Sequence, residues 1–117
     1  MHTRQKKMQE PRITIYRHPN QDIRSFLLPA DVSAPRVEHF EFPLGEQEED
    51  ARMKALGAIG AAVVKDMMQL PGIRRVSIKP REIRVQKDPQ ASWEKMQLQL
   101  LEILRRALRR KRIRLVK

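Results

Sequence analysis

The sequence predicts an α+β fold of two layers, an antiparallel sheet in the order β-β-β-α-β-β-α with two helices on its single apolar face. Two observations carry most of this. Residues 73–79 and 82–87 each alternate apolar with polar and are separated only by Pro80-Arg81, the pattern of a β-hairpin. Residues 53–70 and 93–108 instead repeat apolar side chains every three or four positions, the period of a helix lying on a surface.

In chain order, residues 1–11 have no periodicity and are expected to form a flexible N-terminus. Residues 12–17 alternate, with Ile13 and Ile15 opposed to Thr14 and Tyr16, and His18-Pro19-Asn20 closes the strand. A second strand spans 23–28; its inward parity stays open because Phe26, Leu27 and Leu28 are consecutive. A third, 37–42, points Phe40 and Phe42 to the core and His39 and Glu41 away until Pro43 stops it. Residues 45–50 give a helix an acidic first turn, which complements the partial positive charge of a helix N-terminus. One helix is expected from there to about residue 70, with Met53, Leu56, Ile59, Gly60, Val63, Val64, Met67 and Leu70 as its apolar stripe. Beside the stripe, Ala55, Gly57, Ala58, Ala61 and Ala62 keep the surface thin for close packing.

With Pro80 and Arg81 as loop residues, the hairpin pairs Lys79 with Glu82, Ile78 with Ile83 and Val76 with Val85. Parity then sends those four apolar side chains to the core face and Arg75, Ser77, Arg84 and Gln86 to the other. The last helix begins near Asp88-Pro89 or Ser92 and buries Trp93, Met96, Gln97, Leu100, Leu104, Ala107 and Leu108. Beyond it, residues 111–117 fit a continued helix, a strand through Ile113, Leu115 and Val116, or an unstructured end. The expected organisation is one domain over 12–108, followed by a basic C-terminal tail, 109–117, whose removal spares the fold.

Composition bounds the chemistry. The 117 residues contain no cysteine, which excludes disulfides, thiolate metal ligation and cysteine nucleophiles within them. His2, His18 and His39 are scattered, and Ser25, Ser33, Ser77 and Ser92 stand in no nucleophile-elbow context. No enzyme, metal site or cofactor is expected. No apolar run approaches the length of a membrane span, so a cytoplasmic protein without membrane partners is expected. The net charge is +11 and unevenly spread: residues 105–117 hold eight basic side chains and no acid, while residues 38–50 hold six of the fourteen acids.

Three stretches together resemble the N-terminal domain of Nfu/NifU-type iron-sulfur cluster scaffold proteins. They are His18-Pro19-Asn20 followed by Phe26-Leu27-Leu28-Pro29, then residues 70–78 (LPGIRRVSI), then Trp93 at the start of the last helix. The likeness runs from about residue 13 to 108 and implies a two-layer α+β fold with an accessory, protein-contact role. In that family the cluster is held by a Cys-X-X-Cys pair on a separate domain, and with no cysteine here the cluster-carrying role does not transfer. The basic end departs from the family pattern.

Two function classes follow. One is a non-catalytic interaction module related to iron-sulfur cluster assembly, whose partner is another protein: a scaffold, carrier or client. The other is nucleic-acid binding through phosphate contacts from Arg74, Arg75, Lys79, Arg81 and Arg84 on the hairpin. Arg105, Arg106, Arg109, Arg110, Lys111, Arg112, Arg114 and Lys117 would join them. Against the second, the outward strand positions lack the aromatic side chains on which bases stack.

Overall fold

The computed structural model describes the backbone of residues 11–43 and 46–116 and the side chains of 11–43 and 51–112. Most of the expected N-terminal segment, residues 1–10, lies outside the described residues. The elements are β1 (Thr14–Arg17), β2 (Ile23–Leu27), β3 (Glu38–Glu41), α1 (Glu46–Leu56), α2 (Ala58–Met68), β4 (Ile73–Lys79), β5 (Glu82–Lys87) and α3 (Trp93–Val116). The strands form one antiparallel sheet in the order β1-β2-β5-β4-β3, so the hairpin of the two latest strands is its centre.

Hairpin register follows from the two-residue turn as parity requires: Lys79 opposes Glu82, Ile78 opposes Ile83 and Val76 opposes Val85. The parity that the sequence leaves open in β2 is settled by its partner, since Phe26 sits opposite Ile83 and therefore faces the core. Phe26, Phe40, Val76, Ile78, Ile83 and Val85 are all 0% exposed. Burying each such side chain stabilises the fold by roughly 1.5–3 kcal/mol. Val63, Val64 and Met67 of α2 and Leu100, Leu104 and Ala107 of α3 belong to the same core. Trp93 is buried too, and its indole N–H donates to the Gln21 carbonyl at 2.8 Å while Arg24 lies over the ring.

The single helix expected over 45–70 is two. Gly57, at φ +89°, breaks the chain between α1 and α2, a conformation that side chains with a Cβ disfavour. The Leu56 carbonyl released there accepts the Ala34 N–H at 3.0 Å, so the β2–β3 connection occupies the break. A Cβ on Gly60 would come within 3.0 Å of Ser33 Cβ, which is why the small-residue strip is needed for close approach. The apolar stripe keeps its phase across the break, with Met53, Leu56, Ile59, Gly60, Val63, Val64 and Met67 buried.

At the other end, α3 runs without interruption through the expected boundary at Leu108 to Val116. Of the three conformations that fit the end of the chain, the helix is the one adopted by residues 111–116, and no added strand forms among the described residues. Lys87, at inward parity on β5, is buried, and its ammonium meets three acceptors: Asp22 Oδ1 at 3.0 Å and the carbonyls of Asp88 and Pro89 at 3.2 and 3.4 Å. Its three donors are thus all satisfied. Among the described residues, no helix is long and apolar enough to cross a membrane.

Candidate functional site

Alternation along the strands gives the sheet a second face, turned away from the core. Register places Tyr16, Ser25, Arg84, Ser77 and His39 in one row across it. Thr14, Leu27, Glu82 and Lys79 form the row on one side, and Ile23, Gln86, Arg75 and Glu41 the row on the other.

Two hydrogen-bonded clusters stand on this surface. Ser25 Oγ donates to Glu82 Oε2 at 3.0 Å, which commits its one proton, so at 2.8 Å the His18 Nε2 must be the donor to that hydroxyl. Glu82 also receives Lys79 at 3.7 Å and Arg84 at 3.9 Å. On the other flank, His39 Nδ1 and Ser77 Oγ are 2.7 Å apart. Around the polar rows stand large exposed apolar side chains, Tyr16 at 53%, Val37 at 48% and Leu27 at 39% exposure.

A concavity of about 1000 Å³ lies over the β3, β4 and β5 part of this face, with α1 at its rim. Its described lining includes Arg52, Arg75, Arg84 and Glu41. Arg52 donates to the carbonyl of His39 and stacks over Phe40, so α1 is fastened to the outer edge of β3. Arg75 meets Glu41 at 2.5 Å with both side chains at least half exposed, and such pairs are worth about 0–1 kcal/mol.

The thirteen basic residues singled out in the sequence do not form one surface. Each of the five on the hairpin has a carboxylate: Arg74 with Asp88 at 3.2 Å, Arg75 with Glu41, Lys79 and Arg84 with Glu82, and Arg81 with Asp31 at 2.7 Å. Arg75, Lys79 and Arg84 share the outer face, Arg81 sits at the turn, and Arg74 lies by the opposite end of the hairpin. On α3, Arg106 and Arg109 lie 4.0 and 3.5 Å from Glu102. Arg105 is partly buried, with its Nε shielded and without a hydrogen-bond partner among the described residues. Arg110 and Arg112 are exposed, and Lys111 lines a depression with Asp31 and Ser33, so the basic end of α3 reaches the end of the molecule where Arg81 lies. The Arg114 side chain and Lys117 lie outside the described residues.

Sequence reasoning missed His18, Ser25, His39, Glu41, Arg52, Ser77 and Glu82 as one connected surface. Outward parity marks His39, Glu41, Ser77 and Glu82, but the parity of β2 is open in the sequence, and only the strand order brings β2, β5, β4 and β3 side by side. Among the described residues, no three of His, Asp and Glu gather as a metal site would need.

A family model described as the N-terminal part of scaffold protein Nfu/NifU matches residues 13–111. Among solved structures, the crystal structure of protein SAV1430 from Staphylococcus aureus is similar, with a TM-score of 0.58 and 16% identity over 80% of this chain and 98% of that one. The solution structure of a NifU-like protein from Saccharomyces cerevisiae gives a TM-score of 0.61 and 14% identity over 83% of this chain and 77% of that one. At such identities the two structures speak for the fold alone. No curated protein sequence matches the chain.

Proposed function

Because the chain belongs to the Nfu/NifU N-terminal scaffold family, we propose that it is a non-catalytic, cytoplasmic protein-contact module related to iron-sulfur cluster assembly, working on a separate scaffold, carrier or client. The observation that carries this reading is the outer sheet face. Its cations are matched by carboxylates and its borders are large apolar side chains, a mixture suited to another protein's surface. The module would assist a cluster rather than carry one, since no residue can supply a thiolate.

Affinity capture at two salt concentrations, with and without nuclease, tests it. A cysteine-bearing scaffold or carrier retained after nuclease treatment is the expected result; retention of nucleic acid alone, lost on digestion, would sink the reading. Anaerobic reconstitution with iron and sulfide is expected to leave no protein-bound visible absorption after desalting, and a stoichiometric cluster would overturn the assisting role.

The second reading, contact with nucleic-acid phosphates, is favoured by one observation. Arg110, Lys111 and Arg112 have no ion pair among the described residues. That reading draws on the end of α3, since the hairpin cations are already matched by carboxylates.

A further inference from the structure

We propose that the outer edge of β1 is a docking site for an extended segment of a partner protein, which joins the sheet as an antiparallel strand with an acid opposite Arg17 and an apolar side chain opposite Ile15. This rests on the protein-contact reading above and names the place and the chemistry of the contact.

Backbone geometry is the first argument. Among the described residues, β1 ends the sheet and pairs with β2 alone. The His18 N–H donates to the Ile23 carbonyl at 3.3 Å, so by antiparallel alternation Thr14 and Tyr16 also spend their backbone groups on β2. Ile15 and Arg17 therefore turn theirs to the open edge. The opposite edge differs, since on β3 the His39 carbonyl already accepts from Arg52. An exposed edge is a template for another strand, with main-chain hydrogen bonds supplying affinity and alternate side chains specificity.

Charge is the second. Arg17 and Arg24 oppose each other across the β1–β2 ladder, and like charges so placed are unfavourable. Among the described residues neither meets a carboxylate: Arg24 donates to Gln97 and lies over the Trp93 ring, and Arg17 has no ion pair. Partial burial, and after it the charge of Arg17, hold the Arg24 pKa below its ordinary value. Arg17 stands at the end of β1 away from residue 10, and α1 with its acidic first turn is fastened to the other edge of the sheet. An acid carried in by the added strand, opposite Arg17, supplies the anion that this corner lacks.

The apolar margin is the third. Ile13, Ile15 and Leu101 are only partly buried against the core. Gln97, one turn before Leu101, reaches Arg24 on β2, and Leu98 beside it is 67% exposed. A strand laid along β1 sets its helix-side residues against Ile13 and Ile15. Running antiparallel, it meets Arg17, Ile15 and Ile13 in turn with every second residue, so the fitting pattern is acid, any, apolar, any, apolar. A second copy of β1 does not supply it: centred on Ile15, the copy sets Ile13 against Arg17 and brings no acid.

The test uses the whole chain and a capped peptide containing Glu-Thr-Val-Thr-Val, read by amide hydrogen exchange and NMR shifts, with glutamine in place of the glutamate as the control. The amides of Ile15 and Arg17 are expected to slow most on binding, since theirs are the N–H groups that the new strand takes up. The glutamine peptide is expected to bind about two- to fivefold more weakly. Arg17→Glu is expected to weaken the glutamate peptide at least about fivefold, and a lysine version of the peptide is expected to restore binding to that variant. Arg17 is exposed, and a recovery by charge reversal on both sides cannot arise from damage to the fold. No slowing of exchange on β1, equal binding of the glutamate and glutamine peptides, or no recovery with lysine would each overturn the proposal. Protection of Ile15 and Arg17 that rises with protein concentration in the absence of peptide would give the edge to a second copy and overturn it as well. Capture of a scaffold that Arg17→Glu leaves intact would remove this edge and keep the proposed function. Peptide pairing at β1 without any scaffold or carrier captured would do the reverse.

Discussion

On the β4–β5 hairpin, Arg74, Arg75, Lys79, Arg81 and Arg84 each lie within 4.0 Å of a carboxylate, and three of the acids come from other parts of the chain, Asp31, Glu41 and Asp88. Near the end of α3, Arg110, Lys111 and Arg112 have no such partner among the described residues. Two stretches that read alike as basic runs thus differ in what they offer another molecule. The hairpin presents pairs whose fields largely cancel at a distance, suited to short-range contact. The helix end projects net positive charge, suited to long-range steering of an anionic surface.

The buried pair extends the comparison and gives the largest expected effect. Asp22→Ala strands the Lys87 ammonium, whose side chain is 8% exposed, and is expected to cost about 3–5 kcal/mol in urea unfolding. A loss no greater than that of a surface pair would erase the distinction between buried and exposed matching. Next is Glu82→Ala, which removes the acceptor shared by Ser25, Lys79 and Arg84, with Ser25 only 1% exposed. About 1–3 kcal/mol of thermal stability is expected to go with it. A double-mutant cycle on Arg75 and Glu41 is expected to show a coupling of only about 0.2–1 kcal/mol. A larger value would mean that Glu41 is a fixed part of the surface and not an exchangeable one. Smallest in stability, within about 0.5 kcal/mol, is joint replacement of Arg110, Lys111 and Arg112 by glutamine. That variant should nevertheless elute from a polyanionic resin at clearly lower salt. If each of the three meets a phosphate, the log-log salt slope for nucleic acid falls by about 0.9 per residue.

The parts of this architecture legible in the sequence are those that depend on neighbours in the chain. The hairpin register is fixed by a two-residue turn and a period of two, both visible in residues 73–87. The helical stripe is visible too, but the break at Gly57 is not, because the apolar side chains keep their phase across it and only the backbone angle reveals the turn. Lys87 at inward parity is readable as an exception to an apolar face, whereas the inward place of Arg24 follows only from its register opposite Val85. What satisfies them, Asp22 for one and Gln97 with the Trp93 ring for the other, depends on packing that no local pattern states. The candidate surface was legible only in halves: Arg75 pairs with a residue 34 positions away and Arg81 with one 50 away. A basic run therefore says nothing about its own neutralisation until the sheet order is known.

The place of the hairpin in that order also fixes how the sheet can assemble in time. β4 and β5 close through a two-residue turn, whereas β3 reaches β4 and β2 reaches β5 only after long loops have closed, and β1 has β2 alone to pair with. The sheet should grow outward from its central pair. In stopped-flow kinetics, Val76→Ala is expected to slow refolding, while Ile15→Val, on the strand added last, should leave refolding nearly unchanged and act on unfolding. The reverse pattern would mean that the outer strands, and not the hairpin, set the transition state.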